Sequence, residues 1–305
     1  MKEDKILRKS GITVLKAFSI LEVNKIAKII SDKICASFPE HNINKSDLFL
    51  ALSKVHMYLA DFSDSSAAKY YYKTDSIYFR KDINFENLES LALHECLHFI
   101  QVVRNDNGSL NRMGLYEINM LKDTGLVLNE AAVQLMASRA TNVKKDSVKY
   151  YGLEFSSQSP NYYPIECNIV QQMAYFTGTY PLYHSTIYSD DIFKNTFVMK
   201  SDLQTYNKIA HNLDLLSEYQ DALEKENLYL SYIEYDKIAS QKIEKSKKRI
   251  ETLKNDIKYL TLKTQELILT KCSYSDFDLI RTTQDVKDFK NRLYNFKKYL
   301  ITSEN

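Results

Sequence analysis

Two histidines four residues apart, with a glutamate directly after the first, lie inside the apolar run Leu91-Ala92-Leu93-His94-Glu95-Cys96-Leu97-His98-Phe99-Ile100. The run reads as helix, and on a helix residues four apart stand one above the other. His94 and His98 can therefore reach one metal ion from a single rigid element. Glu95 projects about 100° further round the helix, where its carboxylate can hold a water instead of ligating. Neutral imidazoles with one carboxylate make a tetrahedral zinc site with one open position, and a second, unligated carboxylate can take a proton as water attacks a carbonyl. The flanking Phe85, Leu88, Leu91, Ala92, Leu97 and Ile100 imply a helix buried on more than one side. Buried polar side chains are costly unless partnered, and a metal satisfies them together.

The chain is long enough, at 305 residues, for one large or two ordinary domains. Its near-neutral balance, 41 Lys plus Arg against 39 Asp plus Glu, gives no sign of a nucleic-acid or acidic-membrane partner. Only 6 glycines and 4 prolines interrupt it, which favours helix. The cysteines Cys35, Cys96, Cys167 and Cys272 show no close pairing of the kind a zinc knuckle or small disulfide framework requires, and a reducing cytoplasm is expected. The apolar run from Gly11 to Val23 is broken by Lys16 and Glu22 and lacks a small-residue cleavage site, so it reads as an amphipathic helix instead of a signal peptide. The uncharged stretch from Cys167 to Ser189 carries Asn168, Gln171, Gln172, Gly178, Pro181 and His184 and reads as core, not a membrane span.

Helical spacing is expected over residues 12 to 37 and 44 to 60, separated by a break from Pro39 to Asn44. The lone histidines His41 and His56 read as surface or core residues. Asp75-Ser76-Ile77-Tyr78-Phe79-Arg80 reads as a strand at about 75–80, and at a sheet edge it could take an extended peptide as a further strand; an ordinary structural strand is the equal alternative. The motif helix should occupy about 85–103. Asn105-Asp106-Asn107-Gly108 is a turn signal. A further helix, about 126–140, then carries one acid, Glu130, among apolar and small neighbours, 32 positions after His98. A carboxylate there is costly to bury unless paired or metal-bound, and a two-histidine site lacks a third ligand.

His94-Glu95-Cys96-Leu97-His98 followed by Asn129-Glu130-Ala131-Ala132 resembles the gluzincin group of zinc metallopeptidases over roughly residues 70 to 140. The resemblance implies one zinc per chain held by His94, His98 and Glu130, with Glu95 as general base. Thermolysin-like members carry an aspartate four residues after the glutamate ligand; here Gln134 stands there and could accept from an imidazole, more weakly than a carboxylate. The third histidine of the metzincin pattern is absent from residues 99 to 140. Peptidases of this type also supply a tyrosine or histidine to the oxyanion, and His184 and Tyr163, each close to a proline-marked turn, are the candidates. Glu166 is a second candidate for a buried acid, in a structural role.

Beyond Pro181 no glycine or proline occurs, and the rest should be helical. Ile243, Ile250, Leu253, Ile257, Leu260 and Leu267 step by seven, three or four and form a short heptad seam. It is read as an antiparallel hairpin within the chain, with Leu223 to Ile233 as the candidate partner segment, or else as a dimerising or partner-binding coiled coil. The basic cluster Lys242 to Arg249 reads as a solvated face.

The expected whole is α+β, mainly α. A zincin-like metallopeptidase domain over 1–200, with N-terminal helices, a small sheet and the active-site helix, is followed by a helical hairpin or coiled-coil region over 201–305. The expected activity is zinc-dependent hydrolysis of a peptide or protein substrate in the cytoplasm, with no nucleic acid or membrane partner. The alternative is a catalytically silent, zinc-stabilised interaction protein that meets a protein partner through its C-terminal helices.

Overall fold

The computed structural model describes residues 7, 9–83, 85–118, 124–235 and 240–303, with residues 85–87 and 275 described by backbone alone. The fold is α+β and mostly helical, with small sheets. Two compact units interleave along the sequence. The first comprises Met1–Gly114, Val133–Val143 and Tyr183–Asp190, and the second Leu115–Ala132, Lys144–Leu182 and Asp191–Asn305. This grouping does not follow a boundary at residue 200, since residues 115–132, 144–182 and 191–200 group with the C-terminal helices.

The first unit begins with strand β1 (Ile12–Ala17) and helix α1 (Ile20–Ser37). Residues 12–17 are therefore strand and not the start of a helix. Gly11 at φ +70° breaks the chain before β-branched Ile12, Thr13 and Val14. The helix starts where Ser19 and Glu22 close a reciprocal capping box. Helix α2 (Lys45–Leu52) is capped by Asn44, whose Oδ1 accepts from Ser46 N and Asp47 N. It too ends short of residue 60, because His56–Phe62 form β2. Strands β3 (Ala68–Tyr71) and β4 (Ser76–Arg80) complete a sheet of order β1-β2-β4-β3, in which β4 runs parallel to β2 and antiparallel to β3.

The strand expected at an edge is thus interior. Ser76, Ile77, Tyr78 and Phe79 are all buried, as suits a strand covered on both faces, and the edge beside it is β3. Helix α3 (Phe85–Ile100) follows and packs on β3 and β4. It ends before 103 because β-branched Val102 and Val103 enter β5 (Val102–Arg104). The expected turn joins β5 to β6 (Leu110–Met113), and Gly108 supplies the φ of +79° it needs. Within α3, Ala92, Leu93, Cys96 and Leu97 are wholly buried and Leu88, Leu91 and Ile100 half-buried; the side chain of Phe85 lies outside the described residues.

The second unit opens with the short strand β7 (Tyr116–Glu117). Helix α4 (Leu126–Ala140) is one unbroken element whose first half groups here and whose second half groups with the first unit. Strands β8 (Asp146–Tyr150) and β9 (Leu153–Ser157) form a two-residue hairpin. Its central Tyr151 and Gly152 both take positive φ, as a type I′ turn demands.

Helices α5 (Pro164–Thr177), α6 (Thr179–Tyr188), α7 (Ile192–Lys200), α8 (Leu203–Tyr235), α9 (Ser240–Phe277) and α10 (Thr283–Phe296) follow, and β10 (Thr302–Ser303) adds to β9. α8 and α9 pair antiparallel. Asp202 meets Lys271 at 3.2 Å, Asn212 Nδ2 donates to Thr264 Oγ1 at 2.9 Å, and Ser246 Oγ donates to Glu226 at 2.7 Å. The buried line of α9 contains Ile250, Leu253 and Ile257 but then passes through Thr261, Thr264, Ile268 and Cys272 in place of Leu260 and Leu267. A straight helix drifts about 20° per heptad against a strict seven-residue repeat, which moves the seam on by one position. Among the described residues no helix is long and apolar enough to cross a membrane.

Candidate metal centre

Helix α3 places His94 and His98 one above the other, and their Nε2 atoms come within 3.1 Å. His98 is buried and His94 half-buried. His94 Nδ1 lies 3.0 Å from Oε1 of Gln134 on α4. An amide oxygen only accepts, so Nδ1 carries the proton and Nε2 keeps its lone pair. The amide is itself oriented, because Gln134 Nε2 donates to Ser138 Oγ at 3.2 Å.

One turn before Gln134 on the same helix stands Glu130. Almost every other position of α4 from Val127 to Ala140 is buried, whereas Glu130, Gln134 and Arg139 are not. Glu130 and Gln134 share a face at i and i+4. Ligand atoms of His94, His98 and Glu130 all lie within 4.8 Å of one another, so this group could hold a metal ion.

The donor chemistry fits a metal. Two imidazole lone pairs facing each other at 3.1 Å repel unless a proton or a cation lies between them. Tetrahedral ligation at about 2.0–2.1 Å would set nitrogen atoms roughly 3.3 Å apart, close to the spacing present.

Glu95 is kept apart from this group. It is buried, and its Oε2 accepts the backbone N–H of Tyr70 on β3 at 2.6 Å. Its neighbour Cys96 is wholly buried, and burial pushes that thiol far above its usual range.

The N-terminus of α4 is held from far along the chain. Asp214 on α8 accepts from Gly125 N at 2.9 Å and Val127 N at 3.0 Å, which satisfies two backbone donors the helix cannot pair and sets a negative charge at its positive end. Asn129, wholly buried beside Glu130, accepts from Leu115 N at 2.9 Å. The capping role of Asp214 and the contact from Tyr70 had no counterpart in the sequence reading. Neither leaves a local pattern, since one joins residues more than 80 positions apart and the other uses a backbone donor.

His184, on α6, is not a member of the ligand group: its Nδ1 is 2.9 Å from Asp190 Oδ2, and its ring lies 5.8 Å from that of His41 and 4.7 Å from that of Tyr188. His41 is buried, and burial lowers its pKa. Tyr163 precedes α5 as its N-cap at φ +49°, with its side chain exposed and its carbonyl accepting from Cys167 N at 2.8 Å. Glu166 is wholly buried, and burial pushes its carboxyl up to about 7. Set against known proteins, the chain matches no family model, no curated protein and no solved structure.

Proposed function

We propose that this chain is a zinc-dependent peptidase of gluzincin type, with a zincin-like arrangement of sheet and helices around one zinc held by His94, His98 and Glu130. The observation that carries the reading is the separation of roles on α3 and α4. Two imidazoles and one carboxylate can converge on one ion, while a second, buried carboxylate, that of Glu95, is engaged by a backbone N–H instead.

Zinc bound by His94, His98 and Glu130 would supply Lewis acidity toward the scissile carbonyl. Glu95, anchored through Oε2, takes the proton of the attacking water on its second oxygen and passes it to the leaving amine nitrogen. Gln134 keeps the proton of His94 on Nδ1 and so leaves Nε2 for the metal. The edge strand β3 contributes the N–H that anchors Glu95. The proposal rests on Glu95 and the three ligands and needs neither His184 nor Tyr163.

Metal analysis of the purified chain, combined with digestion of a peptide library before and after chelation, tests this reading. One zinc per chain and chelator-sensitive cleavage restored by zinc are expected; cleavage that persists in metal-free protein contradicts it.

A second reading, a zinc-stabilised interaction protein, is favoured by one observation. Leu228, Tyr229, Tyr232 and Tyr235 near the end of α8 are all exposed, an apolar and aromatic strip on the helical hairpin. Full zinc occupancy with no cleavage of any peptide would turn the choice to it.

A further inference from the structure

The Glu95 carboxylate is held by the backbone of an edge strand. β3 is four residues long, lies at the sheet edge and has no wholly buried side chain. Besides its ladder with β4 and the packing of Tyr71 on the core, β3 is tied by a polar cluster at the turn that follows it. Tyr70 Oη donates to Asp75 Oδ1 at 2.8 Å, and Arg104 Nη2 donates to that same oxygen at 2.6 Å and to Tyr72 O at 2.5 Å.

Arg104 belongs to β5, which starts two residues after α3 ends. The β3–β4 turn is therefore tied to the chain of the motif helix at three points: Tyr70 N to Glu95, the edge-to-face contact of the Tyr70 and Phe99 rings at 6.0 Å, and Asp75 to Arg104.

Two features argue that this cluster does more than stabilise a turn. Asp75 sits at φ +46°, in the left-handed region that favours glycine, so the position carries a carboxylate at a conformational cost. The Asp75–Arg104 pair is also substantially exposed, at 50% and 31% of the side-chain surface, and such pairs add little to global stability. Burial, followed by the bond to Asp75, holds the Tyr70 hydroxyl far above its usual range, and it remains a donor at every working pH.

We propose that Asp75 and Arg104 are positioning residues for the general base: acting through Tyr70, they fix the outward N–H of β3 and thereby hold the Glu95 carboxylate clear of His94 and His98. The inference rests on the reading of Glu95 as that base.

Asp75→Gly and Arg104→Gln test it in the full chain. Glycine suits the left-handed conformation and removes the acceptor, and neither change removes a buried side chain, so both variants should fold. The first readout is amide hydrogen exchange at Tyr70. Exchange should quicken about tenfold in both variants, as it should in Glu95→Ala, while the β2 amides Met57 to Ala60 keep wild-type protection. Unchanged exchange at Tyr70, or exchange that quickens equally in β2, overturns the proposal. The second readout is kinetic: kcat should fall about tenfold at unchanged KM and unchanged zinc content, and Arg104→Lys should recover part of it. A fall in zinc content equal to the fall in activity also overturns the proposal. If wild-type chain cleaves nothing, the peptidase reading fails on that ground, and the exchange measurement still decides whether the clamp exists.

Discussion

Nδ1 of His94 and Oε1 of Gln134 meet at 3.0 Å across two helices, and this contact decides which nitrogen of His94 faces His98. Removing it should loosen the metal without removing a ligand. Gln134→Ala is expected to weaken zinc affinity by about 10- to 100-fold, and Gln134→Asp to retain or strengthen it, because a carboxylate is the better acceptor. Competition against a chelating dye reads both. Unchanged affinity in Gln134→Ala would show that His94 is oriented by something else.

The third ligand is tested by deletion. Glu130→Ala should lose zinc as completely as His98→Ala, since each removes one of three groups lying within 4.8 Å of one another. A Glu130→Ala protein that kept one zinc per chain at native affinity would end the gluzincin assignment.

The motif was legible because its geometry is local. Residues four apart on a helix share a face whatever the rest of the chain does, so His94 and His98 could be paired from spacing alone. Glu130 was legible because it is the one acid in an apolar helix, and the bounds of α4 follow from that run. The N-terminal strand was not: Ile12–Ala17 is a short apolar run, which periodicity cannot divide between strand and helix, and it was joined to the helix beyond Ser19. The edge strand was misassigned because β-forming residues mark a strand without marking its neighbours. Tyr70 and Asp214 escaped for a different reason, as each acts through backbone amides brought near by tertiary folding alone.

Asp214 caps α4 through two backbone donors. Asp214→Ala should therefore destabilise the fold by about 1–2 kcal/mol, while Asp214→Asn, which keeps an acceptor but no charge, should cost less. Urea unfolding measures both, and equal losses in the two variants would assign the effect to charge and not to the cap.

Glu166 predicts a pH dependence of stability. Its folded pKa, about 7, lies above the ordinary carboxyl value of 4.5, so the folded chain binds this proton more tightly than the unfolded chain. Its stabilising contribution is full below pH 4.5 and is lost as pH rises through 7, by at most about 3 kcal/mol. Glu166→Gln stays neutral throughout. Melting curves should show the variant gaining on wild type between pH 5 and pH 8.5 as that penalty develops; a constant difference between the two would place an ionised Glu166 in a compensated environment.

On the proposed reading Glu95 is the motif residue that hydrolysis needs and metal binding does not, and Glu95→Gln removes its charge while conserving its shape. Zinc content and peptide cleavage measured side by side on wild type and Glu95→Gln test the peptidase reading most directly. The prediction is one zinc per chain in both proteins, with cleavage by the variant reduced by roughly 10²- to 10⁴-fold, the usual contribution of a positioned general base. Wild-type protein with its full zinc that cleaves nothing in a broad library, or a Glu95→Gln protein that cleaves as fast as wild type, would contradict it.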